Sequence, residues 1–298
     1  MTAGKAKAGA AHGRRIIIKS DQEIAHMRRA GQIVALTLHR LAQAALPGTT
    51  TKDLDRLAEA VIRSFGATPT FYGLYGYPAN ICVSVNDEVV HGIPGDRRLQ
   101  PGDIVSLDVG ATVEGLIADA AITVGVGPIS SEAKRLLAVT REALHQGISQ
   151  ARPGNRIAHI SQAIQRHVEA HGCSVVRKLV GHGVGRAMHE PPQVPNFLAG
   201  PIARSPELAP GMTLAIEPMV NQGAYDVVQD DDPSLPAGWQ GWTYRTTDHS
   251  LSAHFEHTIA LTGEGCEILT KREPPAPAAK SRQEQTARGL PLGAQTGG

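Results

Sequence analysis

The sequence predicts an α+β fold built from two related halves that face each other across a pseudo-two-fold axis. Three observations carry this. Two pairs of amphipathic helices recur with the same start and stop signals. Each pair is followed by a strand that opens on Pro-Gly. Each of those strands turns one carboxylate toward a face with a small neighbour.

The first helix opens at Ser20, where S-D-Q-E (20–23) reads as a capping box, with Glu23 three residues after the cap. Ile24, Met27, Gly31, Val34, Leu38 and Leu41 follow at helical spacing until Pro47-Gly48 stops the pattern. A second helix runs through LDRLAEAVIRSF to Gly66. The grammar then repeats. S-S-E-A (130–133) opens a helix carrying Leu136, Val139, Leu144 and Ile148 and ending before Pro153-Gly154, and another runs through Ile157, Ile160, Ile164 and Val168 to Gly172. Pro47 to Pro153 and Gly66 to Gly172 are the same step of 106 residues, which divides the core into halves of about 20–126 and 130–262.

The strands repeat as well. PGDIVSLDV (101–109) matches PGMTLAIEP (210–218), and Asp108 and Glu217 each lie seven residues after the leading proline. Alternation puts Asp108 beside Ser106 and opposite Val105, Leu107 and Val109, and it puts Glu217 beside Ala215 and opposite Leu214 and Ile216. Two further stretches read the same way. In IADAAITVGV (117–126) Asp119 shares a face with Ala121 and Thr123, and in HFEHTIAL (254–261) Glu256 shares a face with Thr258 and Ala260. Strands disfavour acids, and buried carboxylates repel one another unless protons or cations intervene. Two divalent cations balance four carboxylates. Oxygen-rich ligation with one or two imidazoles suits Mn, Fe, Co or Zn and a two-metal hydrolytic site. The stretch VGHGVGRAMHEPP (180–192) offers His182 as the imidazole, set among glycines that fit neither phosphate-binding template.

Composition narrows the rest. The chain has 298 residues, 41% of them hydrophobic, and a formal charge of +1, which gives no electrostatic argument for nucleic acid or a membrane. No apolar run approaches a membrane span, and three widely spaced cysteines (Cys82, Cys173, Cys266) suggest a reducing compartment, so the expected location is the cytoplasm. Residues 1–14 and 271–298 read as flexible tails around one domain at 15–270. The basic first tail reads as a solvated arm, with a ribosome-facing role as the other reading.

The ordered set VNDEVVHGIP (85–94), LDVG with Asp108, Asp119, GHGVGRAMHEPP, AIEPMV (215–220) and FEHT (255–258) strongly resembles the type I methionine aminopeptidases of bacteria, over roughly residues 16–270. The resemblance implies the pita-bread fold, in which the two halves surround a central curved antiparallel sheet. It implies Asp108 as chelating ligand of one metal, Asp119 and Glu256 as bridging carboxylates, and His182 and Glu217 as ligands of the other metal. It further implies His189 as hydrogen-bond donor to the scissile carbonyl, His91 beside the scissile nitrogen, and Glu217 as proton shuttle for attack by a metal-bridging hydroxide. The methionine pocket maps onto Phe71, Leu74, Tyr77, Cys82, Met188 and Trp242, with Leu74, Phe71 and Met188 departing from frequent family residues. The implied substrate is the N-terminal methionine of new chains with a small second residue, and the implied state is a monomer.

The stretch 225–246 is longer than in compact relatives, and Asp230, Asp231 and Asp232 read as solvated residues of an exposed turn-rich loop. Two alternatives stay open on sequence. One is an Xaa-Pro aminopeptidase-like hydrolase, against which stands the short segment before the core. The other is a catalytically silent pita-bread protein that binds RNA or protein, against which stand five intact ligands.

Overall fold

The computed structural model describes residues 15–230, 235–236 and 238–271. The expected tails at 1–14 and 271–298, except Lys271, lie outside the described residues, as do Asp231 and Asp232. Helices α1 (Asp21–Ala44) and α2 (Thr51–Ser64) precede strands β1 (Thr68–Pro69), β2 (Ile81–Val85), β3 (Glu88–Val90), β4 (Ile104–Val113) and β5 (Leu116–Gly125). Helices α3 (Ser131–Ser149) and α4 (Ile157–Ala170) precede β6 (Ser174–Val175), β7 (Gly181–Gly183), β8 (Glu190–Val194), β9 (Thr213–Ile216) and β10 (Met219–Asn221). The chain continues through β11 (Val227–Gln229), β12 (Tyr244–Thr246), β13 (Ser252–His254), β14 (His257–Leu261) and β15 (Cys266–Ile268). The expected α+β class is what the structure shows, with the described strands paired antiparallel.

Helix α1 starts at the expected capping box on Ser20 and buries Met27, Val34, Leu38 and Leu41 against β4 and β5. Helix α2 starts earlier than LDRLAEAVIRSF suggests. A second capping box stands there, in which the Thr50 side chain accepts the Asp53 amide and Asp53 reaches back to Thr50. Helix α3 packs on β10 and β13, and α4 packs on β6 and β8. The internal repeat is visible in the backbone. Gly48 and Gly154 have φ of 88° and 84°, and Gly66 and Gly172 have 71° and 67°. Each takes the left-handed conformation that ends a helix-to-loop passage in its half.

Two strands expected to be continuous are broken. PGMTLAIEP gives β9 ending at Ile216 and β10 beginning at Met219, and HFEHTIAL gives β13 ending at His254 and β14 beginning at His257. Glu217 and Glu256 therefore sit at breaks and not inside strands. Pro218 has no amide to donate to a ladder. Opposite it, the Phe255 amide reaches the Pro218 carbonyl at 3.4 Å, and the Glu256 amide leaves its own sheet to donate to Ala121 O of the other half at 2.9 Å. The two breaks coincide where the halves meet.

Candidate metal centre

The register brings the acids together. Cys82, Asp108 and Ala121 form one row across β2, β4 and β5, and Asp119, two positions from Ala121, shares the face of Asp108. In the other half His182, Ala215 and Thr258 form a row across β7, β9 and β14. Glu217 lies two positions beyond Ala215, and Glu256 lies two positions before Thr258. Antiparallel pairing sends both off the same end of the ladder, toward each other. Asp119 (1% exposed), Glu256 (3%) and His182 (8%) offer ligand atoms that all lie within 4.8 Å of one another. His182 Nε2 is also 3.4 Å from Glu217 Oε1 and 3.7 Å from Asp119 Oδ2.

The electrostatics of this cluster favour a cation. Burial, and then Asp119, pushes the Asp108 carboxyl well above its ordinary range. Burial raises Asp119 against the opposing hydrogen bond from Thr258. Glu217 and Glu256 are pushed well up by burial and then by Asp119, with Asp108 adding to both. Asp108 Oδ1 and Asp119 Oδ2 are buried without a hydrogen-bond partner. His182 is held by burial at a pKa of about 4 and is therefore neutral at pH 7. Its Nδ1 lies 2.9 Å from Gly183 O, so the proton belongs on Nδ1 and the Nε2 lone pair faces the carboxylates. Four buried carboxylates, two of them with an unpaired oxygen, and an oriented neutral imidazole fit divalent ions of the harder and borderline kind. The nearby Cys82 thiol is likewise pushed well up, by burial and then by Asp108.

The other predicted residues surround this centre. The His189 ring lies 4.5 Å from the His182 ring at 70°, and burial lowers its pKa to about 4. His91 follows β3 in a left-handed conformation, φ 59°. Burial, and then His189 and His182, lowers it to about 4. Phe71, Tyr77, Cys82 and Met188 are buried in one apolar cluster against which Leu74 and Trp242 pack. The Tyr77 and Trp242 rings meet edge to face, with centroids 5.1 Å apart.

The model of metallopeptidase family M24 matches residues 25–263, most of the chain. The chain belongs to metallopeptidase family M24. It is 52% identical to a methionine aminopeptidase of Clostridium perfringens over 255 residues, covering 86% of this chain and 98% of that protein. Its structure superposes on the crystal structure of a methionine aminopeptidase from Thermotoga maritima with a TM-score of 0.81 at 45% identity, covering 86% of this chain and all of that one. A prolidase from Pyrococcus furiosus shares the fold at a TM-score of 0.66 and 21% identity, with 87% of this chain covering 66% of that one.

This M24 chain also carries site residues that sequence reasoning passed over. His254, buried, sits with Nε2 3.7 Å from Glu217 Oε2, and burial, then His91, lowers its pKa to about 3. The signal was available, because His254 lies two residues before Glu256 and alternation puts both on one face. Tyr75 stacks on His189 with centroids 5.8 Å apart and its hydroxyl 3.4 Å from His189 Nδ1. No sequence signal marks that contact. Asp230, expected to be solvated, is instead the acceptor for Arg245 Nε at 2.7 Å. Arg245 also binds Asp87 and Glu88, which ties the β11–β12 hairpin to β3 beside His91. Among the described residues no helix is long and apolar enough to cross a membrane.

Proposed function

We propose that this M24 chain is an aminopeptidase that releases the N-terminal methionine of polypeptides with a small second residue. The observation that carries the reading is the buried Asp119–His182–Glu256 cluster, flanked by Asp108 and Glu217, in a chain 52% identical to a protein named methionine aminopeptidase. On this reading Asp108, Asp119, His182, Glu217 and Glu256 hold two divalent ions, drawn from Mn, Fe, Co and Zn. Bound ions supply Lewis-acid polarisation of the scissile carbonyl and acidify a water molecule.

The chain's own groups do the rest. Glu217 takes a proton from the attacking water and returns it to the leaving amine, with His254 Nε2 facing its second oxygen at 3.7 Å. His189, neutral at pH 7, donates an N–H to the carbonyl oxygen as charge develops there. His91, neutral for the same reason, stands at the departing nitrogen. Phe71, Leu74, Tyr77, Cys82, Met188 and Trp242 form an apolar wall for the methionine side chain. Burial of such a side chain is worth about 1.5–3 kcal/mol. We further read residues 15–270 as one catalytic domain that works as a cytoplasmic monomer on chains leaving the ribosome.

The test is methionine release from a Met-Ala peptide, set against an X-Pro peptide, after chelation and add-back of each ion. Release that depends on an added ion is expected. No release with Mn, Fe, Co or Zn would sink the reading, and preferential X-Pro cleavage would replace it.

A further inference from the structure

The loop that carries Met188 and His189 is held from beneath by an ion pair with no part in the chemistry above. Lys19, in the segment before α1, pairs its ammonium with Glu190 Oε2, and the two side chains are 1% and 2% exposed. The other Glu190 oxygen accepts two backbone amides of the loop, from Arg186 at 2.6 Å and Ala187 at 3.0 Å. One carboxylate thus closes Arg186–His189 into a fixed turn, and Lys19 fixes the carboxylate.

Lys19 is itself clamped by two glycines of the second half. Its amide donates to Gly211 O at 2.8 Å. A Cβ at Gly211 would crowd Ile18 and the Lys19 carbonyl, and one at Gly185 would overlap Lys19 Cε. Gly185 belongs to the G-x-G-x-G run around His182, so its bareness serves Lys19 as well as the turn. On the surface Arg186 Nε binds Glu23 Oε1 at 2.6 Å, and the other Glu23 oxygen accepts the Ser20 amide in the capping box of α1. The start of α1, in one half, is therefore latched to the His189 loop of the other.

We propose that the Lys19–Glu190 pair is a positioning device that sets His189 relative to His182, resting on the reading of His189 as donor to the scissile carbonyl. The side chains of Lys19 and Glu190 make their hydrogen bonds to each other and to backbone at Ile17, Arg186 and Ala187, and none to an expected metal ligand, so the pair acts chiefly through the turn, with the Glu190 charge also felt at His182. A misplacement of about 1 Å in a catalytic group costs roughly 100-fold in rate, and that is the scale expected of breaking the latch.

The experiment uses K19M and E190Q, each in the wild-type and the H189A background, with kcat and KM for a Met-Ala peptide, metal affinity by calorimetry, and histidine ring NMR of the metal-free proteins. In the wild-type background kcat is expected to fall roughly 100-fold with KM and metal affinity changed less than about three-fold. In the H189A background the same substitutions are expected to cost less than about three-fold further, because the group they position is gone. The His189 ring resonances are expected to move in both variants while those of His91 and His254 stay in place. Equal losses of kcat in both backgrounds, or His189 resonances that do not move, would overturn the proposal. E190Q keeps the volume and the amide acceptor, so it serves if K19M does not fold. A wild-type protein that fails to release methionine sinks the aminopeptidase reading alone, since the NMR comparison still decides whether the pair positions His189.

Discussion

Thr123 and Thr258 each grip the backbone of the opposite half. Thr123 Oγ1 accepts the His254 amide at 2.8 Å and donates to His254 O at 2.9 Å. Thr258 Oγ1 accepts the Asp119 amide at 3.0 Å and has Asp119 O and Oδ1 as acceptors at 2.8 and 2.7 Å. Both threonines lie 135 residues apart, as do the two residues they hold, so the contacts are copies of one another about the pseudo-two-fold axis. The copies differ in their side-chain partners: Thr258 also holds the carboxylate of an expected metal ligand, Asp119, whereas Thr123 pairs with the Ser106 hydroxyl at 2.8 Å.

That difference gives a paired prediction. Thr258→Val and Thr123→Val each leave buried backbone groups unsatisfied, at about 1–3 kcal/mol, and should lower the melting temperature alike. Thr258→Val alone should also weaken divalent-ion binding, by roughly 10–100-fold, because it frees the carboxylate of Asp119. Calorimetric titration of both variants with Mn checks this, and equal affinities would count against Asp119 as a ligand.

The four site carboxylates should make the metal-free protein base-sensitive. Their folded pKa values lie above the ordinary range. The stability they allow is complete below about pH 4, where the unfolded carboxylates titrate, and is lost as pH rises through the folded values. Asp108→Asn should therefore raise the melting temperature of the metal-free protein at pH 8 while weakening ion binding. Add-back of Mn at 100 times its Kd should stabilise the wild type by about 2.7 kcal/mol. Melting curves with and without chelator at pH 5 and 8 measure both effects, and the gain from the ion should be larger at pH 8.

The histidines run the other way. Burial lowers His91, His182 and His189 to about 4 and His254 to about 3. Their contribution is present above the unfolded value near about 6.5 and is lost as pH falls through the folded values. In the metal-free protein their ring resonances should hold steady from pH 8 to pH 5. Titration of any of them with a midpoint above 6 would contradict the buried geometry.

The apolar wall makes a prediction about substrate. Trp242→Ala removes the edge-to-face partner of Tyr77 and one side of the pocket. KM for a Met-Ala peptide should rise roughly 10–100-fold, equivalent to about 1.5–3 kcal/mol of lost burial, with kcat much less affected. A fall confined to kcat would place Trp242 outside the pocket.

Much of the centre was legible because a carboxylate inside a strand pattern is costly enough to need a reason. Asp108 and Asp119 stood out on that ground, and β4 and β5 carry them on the expected face. Glu217 and Glu256 stood out on the same ground, though the strands around them are broken. Asp230 misled for a related reason: a run of acids before proline reads as solvated, and only the fold brings Arg245 against it.

Local patterns by themselves determined the helices, the caps at Ser20 and Ser130, the duplication and the chemistry of the candidate ligands, because those depend on periods of a few residues and on the character of single side chains. Only the tertiary structure decided how the halves meet. The coincident breaks at Glu217-Pro218 and Phe255-Glu256, the reciprocal grip of Thr123 and Thr258, and the Lys19–Glu190 latch all join residues more than 30 positions apart. Such contacts form when two separately encoded surfaces are pressed together, and a hydrogen bond or ion pair across that seam leaves no period in the chain to read.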